Sequence, residues 1–434
     1  MKNILFFLFL VVASKSAIAQ EYVVEGKKRL NFAKTYFELG GQYSPSFSSK
    51  KMNRNQTIQT VTNPASIVPY LNIGGLHFWG RADFFISIPL SQINLDSNDS
   101  TDFTLNQSVV TGARFLPWAY KDNRIRPYIG GSWAIVNSKQ ENKQNNGQPT
   151  FSKSKLIFDA GLLYGKRNFM TRIGVNFYPN SSLEYPITQT QFEIIKTPKW
   201  GAYLGFVYAF ESTRSRNMET ENAKLNKYAK TSSPTMNAFK KGDWFIGIGP
   251  STSFVLGTSD YNSIRHPYFN KKPISNTYID AVLGYQFNKK GIITALSYRN
   301  PTFANEAFRV KQTVKKNSAA LEVYKYLTDY NGFTPYIGLN LAFDNIDYAE
   351  ESDTETISIS KNHIAPGITF GWDILPGKTE QWFVLRTNLR WFPLQSFEVN
   401  NKKFGLNQIE YNVIQAVFYP SRHKNAKQKK DSPH

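Results

Sequence analysis

The sequence contains no cysteine, which excludes disulfide bridges and thiolate metal sites. Beyond its first residues it also lacks any apolar run near the roughly 20 residues that a membrane-spanning helix needs, because Gly, Asn or a charged residue interrupts every run. Acidic residues are scarce relative to basic ones, 32 against 52, so the net charge is +20. If this chain enters a membrane, only a closed β-barrel can satisfy its backbone hydrogen bonds there.

The N-terminus has the pattern of an export signal. Lys2 precedes the apolar run 4–12, and Ala17-Ile18-Ala19 forms a small-x-small cleavage motif. The apolar run is too short to cross a bilayer of about 30 Å as a helix. We therefore expect residues 1–19 to be a cleaved signal peptide and the mature chain to begin at Gln20.

The positive charge is concentrated in turns, in a central segment and in the C-terminal tail. For an exported protein, acidic lipid headgroups and anionic sugars are the expected counter-charges. We therefore expect outer-membrane lipids and lipopolysaccharide as partners, and no nucleic acid.

Most of the mature chain alternates apolar and polar residues, which is the periodicity of β-strands. In one example Phe383, Leu385 and Leu389 share one face, while Arg386 and Arg390 share the other. Long polar loops alternate with short turns along the chain, as in an outer-membrane barrel, whereas a soluble sandwich has no reason to sort its loops in this way. The sequence therefore predicts an all-β, antiparallel up-and-down transmembrane β-barrel.

The chain divides into two similar halves of eight strands each, about 16 strands in all. Residues 126–130 (Arg-Pro-Tyr-Ile-Gly) are echoed by residues 334–338 (Thr-Pro-Tyr-Ile-Gly), each directly after a short turn. We expect a first half over 20–210, a basic periplasmic linker over 211–241, a second half over 242–420 and a basic periplasmic tail over 421–434. One sixteen-strand barrel is favoured, and two tandem eight-strand barrels are the alternative, which the long linker supports.

Tryptophans lie near the predicted strand ends, as expected for an aromatic girdle at the membrane–water interface. The predicted girdle residues are Trp79, Trp118, Trp200, Trp244, Trp372, Trp382 and Trp391.

Strand parity also predicts which charged residues point into the lumen, since a charge on the lipid face is costly. In a wide barrel a surplus of arginine would favour anions, whereas in a narrow barrel the same residues would pair and fill the lumen. The predicted lumen-lining residues are Arg114, Arg172, Arg386, Arg390, Asp159, Asp344, Asp373 and Glu410.

Three short segments resemble the porin-like outer-membrane β-barrel proteins of Bacteroidetes-type bacteria. They are residues 69–80 (Pro-Tyr-Leu-Asn-Ile-Gly-Gly-Leu-His-Phe-Trp-Gly), residues 126–131 (Arg-Pro-Tyr-Ile-Gly-Gly) and residues 249–251 (Gly-Pro-Ser). The resemblance implies an integral outer-membrane barrel and transfers no functional residues. Such barrels usually end on an aromatic residue, whereas here Tyr419 is followed by a basic tail.

The sequence indicates little catalytic chemistry. The five histidines are scattered without metal-ligand spacing, so we expect no enzyme, no metal and no cofactor. Ser358 or Ser360 beside His363 is the best candidate for a lipid-modifying Ser–His pair. The acidic patch over 347–355 is interpreted as a solvated loop, with a calcium site as the alternative.

Three functions remain open at this stage. A passive porin-like channel for small solutes, with anion preference, is favoured. The alternative is a non-transporting structural or accessory barrel of a cell-envelope complex, docking a periplasmic or envelope protein through the linker or tail. An outer-membrane lipid-modifying enzyme is the weaker alternative.

Overall fold

The computed structural model describes residues 34–52, 58–77, 80–95, 103–140, 150–179, 181–211, 242–288, 290–327, 333–374 and 382–423. The predicted signal peptide, nearly all of the linker, the tail from 424 onward and Trp79 lie outside these residues. Within the described part of the chain, no helix is long and apolar enough to cross a membrane.

The described residues of the first half form thirteen strands. Eight of them, β1, β4, β5, β7, β8, β9, β10 and β13, build one barrel wall, and the others lie in its loops. The bounds are β1 (Lys34–Ser44), β2 (Phe47–Met52), β3 (Ile58–Asn63), β4 (Ser66–His77), β5 (Ala82–Pro89), β6 (Ile93–Asn94), β7 (Phe103–Phe115), β8 (Arg126–Gln140), β9 (Thr150–Lys166), β10 (Phe169–Phe177), β11 (Ser182–Pro186), β12 (Phe192–Lys196) and β13 (Trp200–Glu211).

The second half repeats this plan. Its wall strands are β14, β15, β16, β18, β19, β20, β21 and β24, and a short helix, α1 (Asp260–Arg265), lies in the first loop. The bounds are β14 (Asp243–Val255), β15 (Tyr278–Phe287), β16 (Ile292–Arg299), β17 (Thr302–Ala307), β18 (Val310–Tyr326), β19 (Phe333–Glu351), β20 (Thr356–Ile374), β21 (Phe383–Phe392), β22 (Ser396–Val399), β23 (Lys402–Gly405) and β24 (Gln408–Phe418).

Each half closes on itself. Strand β1 pairs with both β4 and β13, and β14 pairs with both β15 and β24, always antiparallel. A strand with partners on both sides has no free edge to offer the other half. The prediction of an all-β chain with two eight-strand halves is confirmed. The favoured joining of the halves into one sixteen-strand barrel is wrong, and the tandem alternative describes the fold.

Short connections join most of the strands at one end of each barrel, the ten residues between β7 and β8 being the longest there, and most of the longer connections lie at the other end, hereafter the outer end. The two-residue turn between β9 and β10 places Arg167 at a φ of 56°. One predicted long loop, over 348–361, is instead mostly strand: β19 and β20 pair as far as Glu351 and Thr356, so the connection between them is short. The acidic residues there are therefore part of an ordered hairpin.

Inward-facing aromatic rings lie against glycines on the neighbouring strand in both barrels. Tyr128 is the cross-strand partner of Gly161, and Tyr336 is the partner of Gly371. A Cβ atom on Gly161 would lie 2.4 Å from the Tyr128 hydroxyl, and one on Gly371 would lie 2.5 Å from the Tyr336 hydroxyl. Both pairs join the fifth and sixth wall strands, so the Pro-Tyr-Ile-Gly echo in the sequence marks equivalent positions of a repeated barrel.

Candidate functional site

The barrel exteriors carry the apolar side chains. Leu339 is 68% exposed and Phe206 is 63% exposed, although both lie in the middle of long strands. In a soluble barrel these residues would be the core, whereas an apolar exterior is the pattern of a barrel embedded in a membrane. Both halves are therefore membrane-type barrels. The belt includes Phe37, Leu39, Ile73, Ile129, Phe158, Leu162, Ile173, Phe206, Ile246, Ile248, Ile279, Leu283, Leu296, Leu321, Leu339, Phe343 and Ile364.

The predicted girdle tryptophans lie at both ends of this belt. Trp118 and Trp244 are exposed at the short-turn end, where Trp372 and Trp382 are partly buried. Trp200 and Trp391 are exposed at the outer end. Rings at both ends match the amphipathic preference of tryptophan for a membrane interface.

The interior of the first barrel holds a closed network of ion pairs. Arg114 Nε lies 2.6 Å from an oxygen of Asp159, and Arg114 Nη1 lies 3.3 Å from Asp83. Arg172 Nη2 lies 2.7 Å from the same Asp83 oxygen, and its Nη1 contacts Glu38. All five side chains are buried, so two arginines are shared among three carboxylates in the middle of the lumen.

Each of the three carboxylates also accepts a hydrogen bond from a tyrosine. Tyr36 donates to Asp83 at 2.6 Å, Tyr70 to Glu38 at 3.0 Å and Tyr203 to Asp159 at 2.9 Å. The Phe85 ring lies 3.8 Å from the Arg114 guanidinium carbon. Because buried charges are tolerated when they are paired and hydrogen-bonded, these residues can fill the middle of the barrel.

The second barrel is filled by a longer network. Arg386 holds Asp373 through two nitrogens, at 2.7 and 2.8 Å. Arg390 lies 2.5 Å from Asp280 and 2.8 Å from Glu322. These side chains are at most 2% exposed.

The same network continues toward the outer end. Arg299 pairs with Glu410 at 2.9 Å, Lys316 pairs with Glu410 at 2.6 Å and lies 3.9 Å from Asp344, and Gln395 donates to Asp344. Four basic groups thus face five carboxylates in this lumen, so the expected surplus of arginine is not found there.

The structure therefore buries every predicted lumen residue and brings them together within each barrel. Sequence reasoning missed their partners Glu38, Asp83, Asp280, Glu322, Arg299 and Lys316. Strand parity, which identified the other lumen residues, places these side chains on the same inward face, so the same signal could have found them.

The outer end of the second barrel is closed by its first loop, 256–277. His266 Nε2 lies 2.9 Å from Glu350, and its Nδ1 lies 3.0 Å from the Tyr268 hydroxyl. Glu350 also accepts from Tyr261 at 2.9 Å and from Tyr348 at 2.5 Å. These groups lie beyond the apolar belt, which ends on β19 at Phe343.

Glu350 is the electrostatic centre of this closure. Burial alone would raise its pKa, but the hydrogen bonds from His266 and Tyr348, together with the charge of His266, lower the pKa to about 2. The carboxylate is thus ionised and fully bonded, and it fastens the loop to the β18–β20 wall. Among the described residues, no group of His, Asp and Glu is arranged to hold a metal ion.

The short-turn end of the second barrel is closed by the chain that follows β24. Arg422 Nε donates to Asp243 at 2.9 Å, and its Nη2 donates to Asn288 at 3.1 Å. The guanidinium carbon lies 3.7 Å from the centre of the Tyr419 ring. The terminal strand therefore keeps its aromatic residues in the barrel, and the chain as far as His423 lies at this end.

The candidate Ser–His pair is not assembled. On β20, His363 belongs to the inward-facing set, whereas Ser358 and Ser360 are exposed on the other face. Residues on opposite faces of one strand cannot share a proton.

The two barrels contact each other on their exteriors. The Trp133 ring lies 4.0 Å from that of Phe254 and 5.6 Å from that of Tyr411. Tyr411 also donates to Thr111 Oγ1 at 3.0 Å. Phe254 and Tyr411 face outward from the second barrel, yet both are buried. The two barrels are therefore packed together at this contact, which is hereafter called the seam.

No protein-family model matches the sequence, and no curated protein matches it. Among solved structures, the chain is similar to Ail of Yersinia pestis, with 15% identity, a TM-score of 0.28, and 42% of this chain and 99% of that chain covered. It is also similar to Neisserial surface protein A, with 13% identity, a TM-score of 0.30, and 41% and 99% covered. An outer membrane channel from Pseudomonas putida F1 matches at 10% identity and a TM-score of 0.21, with 90% and 97% covered. Scores this low establish no common function.

Proposed function

We propose that this chain is an integral outer-membrane protein whose two sealed barrels conduct no solute and serve to hold its outer loops at the cell surface. The observation that carries the proposal is the filling of both lumens by buried ion pairs. Arg172 and Arg390 are each 1% exposed, although both point into a barrel interior. Eight strands leave room for side chains but for no aqueous pore.

The porin-like channel is the competing proposal. Its anion preference would require arginines that are free to meet a passing solute. Here Arg114, Arg172, Arg386 and Arg390 are held by carboxylates at the distances given above. Opening a path would separate buried ion pairs, which is costly because each charge would be left without its partner. The ion pairs therefore support a sealed barrel over a channel.

The outer-membrane location rests on the expected signal peptide, the apolar belt and the tryptophans at both of its ends. From the resemblance to Bacteroidetes-type porin-like barrels, we also predict that this outer membrane belongs to a bacterium of that type. We also propose that the protein carries out no catalysis, and that the basic linker and tail dock an envelope partner in the periplasm.

Single-channel conductance of the mature protein in a planar bilayer tests the sealed barrel. We expect no current steps at any voltage that the bilayer tolerates. Insertion is verified on vesicles of the same lipid by protection of the strands from protease. Steady current steps from inserted protein would overturn the proposal, and loss of their anion preference in Arg390→Ala would then establish the channel.

A further inference from the structure

The outer ends of the two barrels meet above the seam. Asn270, in the first loop of the second barrel, donates its side-chain amide to the Ser152 carbonyl of the first barrel at 2.7 Å. Phe192, at the start of β12, packs against the buried pair Tyr268 and Phe269 of that same loop. The β11–β12 hairpin and the 256–277 loop therefore form one surface to which both barrels contribute.

Four exposed lysines, hereafter the seam lysines, are brought to this surface. Lys153 follows Ser152 and donates to the Ser182 carbonyl at 3.2 Å, and Ser182 is the cross-strand partner of Lys196. Lys271 and Lys272 follow Asn270 directly. The backbone N–H of Lys272 donates a hydrogen bond to Asn270 Oδ1 at 3.1 Å. The seam lysines are Lys153, Lys196, Lys271 and Lys272.

The carboxylates of the same hairpin do not balance this charge. The β11–β12 hairpin has two acidic residues, Glu184 and Glu193. Glu193 forms an ion pair with a fifth lysine, Lys50, at 2.8 Å. Beneath the surface, the buried Lys155 donates to the Thr197 hydroxyl at 3.3 Å and adds its charge to the local potential. Clustered charges of one sign raise the local concentration of oppositely charged ligands.

We propose that the seam lysines form a binding surface for a polyanionic sugar chain, such as a surface polysaccharide that carries sulfate or phosphate groups. Several exposed ammonium groups spread over two barrels suit a ligand with repeated charges, because each contact is weak on its own and the contacts act together. The seam lysines lie at the outer end of the barrels, on the loop side of the apolar belt, so the ligand that they fit lies outside the bilayer. This inference rests on the proposed function, since sealed barrels act through their outer faces.

Binding of the mature, detergent-solubilised protein to immobilised dextran sulfate tests the inference, with neutral dextran of equal length as the blank. The test variant carries Lys→Glu at the four seam lysines. The matched control carries Lys311→Glu, Lys315→Glu, Lys402→Glu and Lys403→Glu, four lysines that are also exposed at the outer end of the second barrel. Both variants change the net charge equally, so a difference between them reports position.

We expect the test variant to bind dextran sulfate at least about tenfold more weakly than the native protein, the control to lose less than about twofold, and added salt to weaken the native binding. Folding is checked by the difference in gel mobility between the unheated and the heated protein. If the test variant misfolds, a version with Lys→Gln at the same four positions replaces it. Equal losses in both variants, or no preference of the native protein for dextran sulfate over dextran, would overturn the inference. Since this assay involves no flux, conducting barrels would overturn the proposed function without changing its result.

Discussion

Tyr128 and Tyr336 occupy the same position in two successive barrels, each on the fifth wall strand with its ring against a glycine of the sixth. The equivalence extends to the charged core. Arg172 lies across from Leu163, two residues beyond Gly161, and Arg386 lies across from Asp373, two residues beyond Gly371. A repeated placement of ring, glycine and arginine indicates that the two barrels arose from one eight-strand unit.

The first prediction concerns the space beneath these rings. Gly161→Ala or Gly371→Ala should destabilise the protein by about 1–3 kcal/mol, because the new Cβ would overlap a tyrosine and a backbone carbonyl. The shift of the urea unfolding midpoint in lipid vesicles measures this. Gly131→Ala is the matched control, since its Cβ would meet its nearest neighbour at 4.0 Å. Equal shifts for Gly131→Ala and Gly161→Ala would show that the close approach has no energetic role.

Much of the fold was predictable from the sequence because the alternation of apolar and polar residues runs through most of the wall strands, although the β7–β8, β14–β24 and β21–β24 pairings contain register shifts. The alternation over Val310–Tyr326 is strict, so parity alone could also have placed Lys316 and Glu322, which were missed, on the inward face. Which strands would close the sheet was not predictable, since β13 carries the same alternating pattern whether it pairs with β1 or with β14. The long linker was the one feature of the sequence that favoured two separate barrels.

The pairing of the lumen charges was only half predictable. Parity turns Arg172 inward, but its partners Glu38 and Asp83 lie on strands distant in sequence, and the stagger of the barrel decides which of them it meets. The Glu350–His266 contact was missed for a different reason. The acidic patch was assigned to a solvated loop, whereas β19 and β20 extend far enough to bury Glu350 beneath a loop from another part of the chain.

The second prediction concerns the charged core of the first barrel. Arg172→Met should destabilise the protein by about 3–5 kcal/mol, because it leaves Glu38 and Asp83 buried without their shared cation. Thermal unfolding, followed by the gel mobility of the barrel, measures the loss. Arg309→Met is the control, since its pair with Asp353 is 60% and 63% exposed and should contribute less than about 1 kcal/mol. Adding Glu38→Gln to Arg172→Met should restore part of the stability, and a double variant less stable than Arg172→Met would argue against the pairing.

The third prediction concerns the contact between the outer ends of the two barrels, above the seam. The chain has no native cysteine, so Ser152→Cys with Asn270→Cys places two reactive thiols where the barrels touch. A short bismaleimide should join them, and a protease site inserted between 212 and 241 reports the link. After cleavage, the two halves should stay together on a denaturing gel only when both cysteines are present. Halves that separate after treatment of the double variant would contradict side-by-side packing, and Ser152→Cys alone is the control.

The fourth prediction concerns acid. Glu350, with its pKa lowered to about 2, should fasten the 256–277 loop at neutral pH. A carboxylate whose folded pKa lies below the unfolded value of about 4.3 stabilises the fold above that value, and the stabilisation is lost as pH falls toward the folded pKa. Pepsin cleavage of the loop should therefore accelerate by roughly tenfold or more between pH 4.5 and 2. In Glu350→Gln the loop should be cut readily at both pH values, because the charge is absent throughout.

The matched control for acid release is Glu398→Gln, since Glu398 is exposed on the β22–β23 hairpin at the same end of the barrel. Its cleavage should follow the native profile at every pH, which removes the pH dependence of pepsin itself from the comparison. If Glu350→Gln also followed the native profile, acid release of the loop would depend on some other carboxylate. Arg265 contacts both Glu350 and Glu355, so Glu355→Gln would then be the variant that identifies it.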